Sequence, residues 1–375
     1  MSRAFSIYLD LLRFLAACLV VIYHSNSRLI ISKILPLSTY GHSAVIVFFV
    51  LSGYVIAYAT DTKERSAGSY WASRLSRVWS LAVPVILLTP MLDLVGESLA
   101  PAIYDGYTTH DHALLRGATS LFFLNEVWSV SIMCFSNIAY WSLNYEVSYY
   151  LLFALYAFGD PRRRWLWISL ASLAIGPKIL LLAPIWLLGV VVYHWRRPQE
   201  MPEWLGWLCV AVSIAMFVVL EYFRLPDLVA AQLKLALGAH WFGELNYSKW
   251  FLTDYVLAIA VFLNFVGVRR VVFRFAPVLH AVERPVRAAA AYTFSLYILH
   301  QPLLYFYAAL IDLPPTNIAK YCAVIACVAL TVLVIGHQTE HKRYKLRRWL
   351  EQAINWGQRR AGIRGAVVGS SNESA

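Results

Sequence analysis

The chain has 375 residues, of which 60% are hydrophobic and 14% charged, and its formal net charge is +11. Soluble domains carry about a quarter charged residues, so this composition and a mean hydropathy of +0.58 exclude an ordinary water-soluble fold and point to a bilayer as solvent. Five scattered cysteines exclude a disulfide framework and show no metal-ligand spacing, so no metal is expected.

Hydropathy predicts an all-α polytopic transmembrane bundle of about ten helices, at roughly 8–26, 43–60, 77–95, 138–158, 163–176, 178–194, 204–222, 250–267, 291–311 and 318–338. The first holds Asp10 and Arg13 and lacks a small-residue cleavage site, so it reads as a retained span rather than a signal peptide. Only Gly176-Pro177-Lys178 separates the fifth and sixth. Two long loops, about 96–137 and 223–249, fall on the outer side and are candidate acceptor surfaces. His110 and His112 in the first lack the companions of a metal site and read as solvated. Residues 1–340 read as one membrane domain and 341–375 as a basic cytosolic tail, disordered over 355–375.

Placing the N-terminus in the cytosol puts 23 of the 32 lysines and arginines on inner loops and eight on outer loops. That asymmetry favours both termini inside. The positive charge then reflects orientation and anionic-lipid contact, and no nucleic-acid partner is expected.

Ionisable residues inside apolar spans are costly and mark candidate chemistry. Arg13 and His24 share one face of the first helix, separated by eleven residues and roughly 16 Å of rise. The structural alternative pairs Arg13 with Asp10 and makes His24 an interfacial cap. Glu146, six residues into Trp141-Ser142-Leu143-Asn144-Tyr145-Glu146, is expected at the depth of His24, where a carboxylate could orient the imidazole. Arg74 and Arg77, at i and i+3, could bind phosphate bidentately or simply anchor lipid headgroups. Ser52-Gly53-Tyr54 offers a small-residue site for close approach of a helix or ligand. Tyr297-Ile-Leu-His300-Gln-Pro302 places a histidine mid-span beside a proline that frees backbone groups.

Five motifs in series resemble the acyltransferase 3 family of integral membrane acyltransferases. They are Leu9-Asp10-Leu-Leu-Arg13 with His24, Phe48-Phe-Val-Leu-Ser52-Gly53-Tyr54, Arg74-x-x-Arg77, Trp141-Ser142-Leu143-x-x-Glu146 and Tyr297-x-x-His300-x-Pro302. Tyr54 stands where the family usually has Phe, and Glu340-His341-Lys342 stands where Glu-Arg-Pro is often found, so no role is assigned to Glu340. The resemblance implies O-acyl transfer, usually of acetyl, from cytosolic acyl-CoA (acetyl-CoA) as co-substrate to a hydroxyl of a carbohydrate such as an exopolysaccharide or lipopolysaccharide, in a bacterial inner membrane. Some members of that family carry a fused extracytoplasmic esterase-like domain, for which the stretch after residue 338 is expected to leave no room. On that reading Arg74, Arg77 and Arg13 hold the donor and His24 is the general base or transient acyl acceptor. Glu146 then orients His24, and Ser52, Gly53, Tyr54, Trp141, Ser142, Tyr297 and His300 line the substrate pocket. A polytopic transporter or flippase of a glycolipid or polyol, and a catalytically silent subunit, are the alternatives from other classes.

Overall fold

The structure, a computed structural model, describes residues 1–26, 30–64, 66–106, 111–195, 200–340 and 342–360. Arg28, Arg65, His110, Arg196, Arg197, His341 and the expected disordered end beyond Arg360 lie outside the described residues. The described residues are helical and contain no strand.

The first three spans are α1 (Arg3–Ser25), α2 (Gly41–Thr62) and α3 (Ala67–Leu99). Ser2 caps α1 by accepting from the Phe5 amide, and a Ser66/Ser69 capping box opens α3. Short helices α4 (Pro101–Tyr104) and α5 (Ala113–Leu121) follow, and a 3₁₀ turn at Ile138–Tyr140 leads into α6 (Trp141–Phe158). Helices α7 (Arg164–Ile175) and α8 (Pro177–His194) meet at Gly176, whose φ of 92° and tight approach to Trp128 require the missing side chain. Then come α9 (Glu203–Tyr222), α10 (Leu225–Glu244), α11 (Phe251–Val271), α12 (Ala276–Ala281), α13 (Glu283–Ala291), α14 (Thr293–Leu310), α15 (Ile318–Thr339) and α16 (Arg343–Arg360).

Among the described residues seven helices, α1, α2, α3, α8, α9, α11 and α15, are long and apolar enough to cross a membrane. The chain is accordingly a multi-pass integral membrane protein. Leucines and methionines such as Leu87, Met91 and Leu330 stand exposed on these helices, as lipid-facing side chains do. α6 and α14, 18 residues each, are not among these seven and carry Glu146 and His300.

Two expectations are corrected. The presumed loop at 223–249 is largely the helix α10, interrupted at Gly238 (φ 76°). Its run of Leu, Ala and Gln favours helix even where apolarity is too low to read as a span. The presumed tail begins as α16, which packs against α3 and continues through Arg360.

Gly53 and Gly189 let α2 and α8 touch backbone to backbone. A Cβ on Gly53 would lie 2.0 Å from the Trp186 carbonyl, and one on Gly189 1.9 Å from that of Val50. Beside this contact Phe49, Trp141, Tyr145, Tyr149 and Trp186 form an edge-to-face aromatic core.

The segment before α6 enters the bundle. Ser136 and Asn137 are fully buried. Ser136 donates to Asp93 through both its amide and its hydroxyl. Pro302 cannot donate to the Ile298 carbonyl four residues earlier, and the Asn137 side chain donates to it instead at 2.8 Å. The Ala139 amide donates to Gln301 Oε1 at 3.0 Å. α6 therefore starts inside the protein, pinned to α14.

Candidate active site

A cavity of about 260 Å³ opens among α1, α2, α3, α6 and α14 at the end of the bundle where the arginines collect. Arg13, Arg77 and Arg343 line it together with two carboxylates, Glu146 and Glu340.

Arg13 is held by two partners. Its Nη2 donates to Asp10 Oδ1 and to the Ala290 carbonyl, each at 3.2 Å. Asp10 also accepts from Arg287 at 2.9 Å, and Arg287 and Arg3 both donate to Glu283. The result is a relay of alternating charge that fixes α1 against α13 and leaves one edge of the Arg13 guanidinium on the cavity. The structural alternative for Arg13, pairing with Asp10, and its place on the cavity are both present.

Arg74 and Arg77, three residues apart, have opposite circumstances. The Arg74 Nη2 lies 2.7 Å from each carboxylate oxygen of Glu64, both side chains are buried, and Arg74 does not line the cavity. Its expected part in donor binding is therefore corrected: a buried guanidinium needs its counter-charge, and Glu64 supplies it. The Arg77 side chain makes no hydrogen bond among the described residues. Its guanidinium lies 5.8 Å from the Phe294 ring centre and lines the cavity.

Glu146 Oε1 accepts from Ser52 Oγ at 2.7 Å and from the Tyr150 hydroxyl. Ser52 in turn accepts from Trp186 Nε1 at 3.2 Å. The expected pairing of Glu146 with His24 is corrected, and the reason is the depth at which α6 begins. Ser142 meets the Tyr297 hydroxyl at 2.7 Å. Glu146 lies one turn below Ser142, about 6 Å toward the arginine-rich end, while His300 lies three residues above Tyr297, about 4.5 Å the other way. The ring that faces His24 belongs to His300, with centroids 5.1 Å apart.

Of the expected pocket residues, Ser52, Ser142 and Tyr297 line the cavity. Gly53 instead meets α8, Tyr54 packs edge-on against Phe5 and Phe265, and Trp141 stacks on Tyr247. His24 and His300 do not line it either. Tyr297, which does line it, has its ring centre 5.3 Å from that of Phe48 and 6.2 Å from that of His300. Sequence reasoning missed Glu340 and Arg343. Glu340 accepts from the amide and hydroxyl of Ser295 at the start of α14, and Arg343 opens α16 at the cavity mouth. Their signal was an acid ending an apolar span immediately before a basic amphipathic run.

Such a site can hold an anionic, extended ligand at its arginine-lined mouth and bring the far end of that ligand toward two histidines. Similar proteins carry a related assignment. A protein of Streptomyces mycarofaciens named acyltransferase MdmB is 29% identical over 127 residues, covering 33% of this chain and 30% of its own length. An exopolysaccharide production protein of Rhizobium meliloti, ExoZ, is 30% identical over 123 residues, covering 31% of this chain and 34% of its own. The chain thus aligns with about a third of each of these relatives. No solved structure matches it. Residues 6–337 match the family described as an acyltransferase domain, and the chain belongs to the acyltransferase 3 family.

Proposed function

We propose that the protein is an acyltransferase that moves an acyl group, acetyl in the simplest case, from cytosolic acyl-CoA to a hydroxyl of an exported or cell-surface carbohydrate. The observation that carries this reading is the Arg77 guanidinium, which makes no side-chain hydrogen bond among the described residues, set with Arg13 and Arg343 around a cavity that is also lined by Tyr297, a ring neighbour of His300. Guanidinium groups that face a cavity suit the phosphates of such a donor. The relative named for exopolysaccharide production supports a carbohydrate acceptor. The bacterial sources of both relatives support a bacterial cell membrane, and the Lys/Arg bias supports the arginine-rich end in the cytosol.

In this reading Arg77 and Arg343 hold the donor phosphates at the mouth, and Arg13, fixed by Asp10, borders the path of the thioester arm. Tyr297 and Ser142 form the gate through which the thioester reaches the histidines. His24 takes the proton of the acceptor hydroxyl as its oxygen bonds to the acyl carbon and the carbon–sulfur bond breaks. An acyl-histidine formed on His24 and passed to the acceptor is the relay version of the same route. Glu146 serves the donor side, shaping the cavity opposite Arg77 through Ser52 and Tyr150.

The test is transfer of labelled acetyl from acetyl-CoA to a cell-envelope acceptor fraction by the purified protein. Wild type labels the acceptor, and His24→Ala lowers turnover by about a thousandfold or more. Labelled protein trapped without acceptor identifies the relay. Full turnover in a folded His24→Ala variant would overturn both versions.

A further inference from the structure

α14 presents one buried polar atom without a partner beside His24. His300 is fully buried. Its Nδ1 lies 2.7 Å from the Tyr297 carbonyl and 3.2 Å from that of Leu296. A carbonyl only accepts, so the proton of the neutral ring is on Nδ1 and Nε2 carries a lone pair. That Nε2 makes no hydrogen bond.

The His24 ring stands 5.1 Å away between centroids, tilted by 48°. Two imidazoles joined by one N–H···N bond have centroids about 5 Å apart. The two rings are thus spaced for a single hydrogen bond. His300 is well placed to impose the direction of that bond, because its neighbours on α14 are fixed. Tyr297 bonds Ser142, Ile298 accepts from Asn137, and Gln301 accepts from the Ala139 amide.

We propose that His300 is the positioning residue of His24. Its Nε2 accepts the ring N–H of His24, which leaves the other His24 nitrogen with its lone pair toward the acceptor hydroxyl. The inference rests on the reading of His24 as the base. As the hydroxyl oxygen bonds to the acyl carbon and the thioester carbon–sulfur bond breaks, the hydroxyl proton passes to His24 and then to the departing thiolate. His300 keeps its own proton throughout. A neutral imidazole thus does what a carboxylate does in more polar sites, without placing a second charge in the bundle.

The experiment compares His300→Gln with His300→Met, two side chains of similar length of which only Gln can accept a hydrogen bond at the position of Nε2. Steady-state transfer from labelled acetyl-CoA is measured for both, with His24→Ala in parallel. Met lowers kcat by about a hundredfold while the KM for acetyl-CoA stays within twofold, and Gln recovers at least tenfold of that loss. Equal kcat for folded Gln and Met variants assigns His300 to packing and overturns the proposal. Should Met not fold, Gln decides alone: a kcat loss beyond a hundredfold at unchanged donor KM overturns it. If both His300 variants keep full kcat while His24→Ala abolishes transfer, the positioning role fails and the base stands. If His24→Ala keeps turnover, the reading of His24 fails first and the proposal with it.

Discussion

Arg77 in the cavity and the buried ion pairs elsewhere in the bundle use the same chemistry in opposite ways. Lys178 and Glu126, both almost wholly buried, lie 3.0 Å apart, and Lys178 also donates to the Val130 carbonyl. Ser131 and Asn246 complete the Glu126 shell. Arg74 and Glu64 are matched in the same way near the other end. Around the cavity, by contrast, the Arg77 and Arg343 side chains make no hydrogen bond among the described residues, and the Glu146 and Glu340 carboxylates are bonded to hydroxyl and amide groups. In the one arrangement matched charge stitches helices together, and in the other the cationic side chains face a cavity. The contrast is sharpest within α3, where the two kinds of arginine are one turn apart.

Breaking that contrast gives the largest expected effect. Arg74→Ala leaves the Glu64 carboxylate buried without a counter-charge and should destabilise the protein by about 3–5 kcal/mol. Replacing Arg74 and Glu64 together with leucine or methionine should restore most of the loss, because the penalty is the orphaned charge rather than the missing attraction. Arg77→Ala should leave the melting temperature close to wild type and raise the KM for acetyl-CoA by about tenfold or more, one charge-assisted phosphate contact being lost. Thermal unfolding in detergent and donor kinetics measured on the same two variants check both arms. A melting temperature that falls for Arg77→Ala and stays level for Arg74→Ala would invert the assignment.

A smaller effect follows at the joint between α6 and α14. Asn137→Ala frees the Ile298 carbonyl that Pro302 cannot serve, and a buried unmade hydrogen bond costs about 1–3 kcal/mol. Asn137→Ala combined with Pro302→Ala should cost less than Asn137→Ala alone, since the restored amide can donate to Ile298 in the ordinary helical way. A double-mutant cycle on unfolding free energy reads this directly.

These elements also show what the sequence could disclose. The spans, the positive charge bias and five motifs in order were legible because apolar runs and costly intramembrane charges stand out in one dimension. Arg13, Arg77, Ser52, Ser142, Glu146 and Tyr297 were all singled out, and the structure gathers them around one cavity. The partners were not legible. Which arginine of Arg74 and Arg77 is neutralised depends on Glu64, ten residues earlier, folding back along α3. The depth of Glu146 depends on a buried segment before α6 that hydropathy reads as loop. Gly53 reads equally well as ligand site or helix contact until α8 is placed 2.0 Å from its absent Cβ. Glu340 and Arg343 belong to the site only because α15 and α16 return to the mouth of the cavity.

The smallest expected effect tests the charged relay that holds Arg13. Glu283 lies outside the spans at the start of α13, and hydrogen bonds from Arg3 and Arg287 lower its carboxyl to about 2. An unfolded glutamate titrates near 4.3. The folded value is the lower one, so the contribution of Glu283 is fully present above about pH 4.3 and is lost as the pH falls through about 2. Solvent and salt screen an exposed pair such as Arg3–Glu283, so the effect on the melting temperature should be smaller than that of Asn137→Ala and should shrink as salt rises. Glu283→Gln should reproduce the acid-weakened state at neutral pH and remove that salt dependence. Its consequence for function is indirect: Arg287 released from Glu283 still pairs with Asp10, so Arg13 keeps its anchor and donor KM should move little. A donor KM that rises as far in Glu283→Gln as in Arg77→Ala would mean that Arg13 depends on the whole relay and not on Asp10 alone.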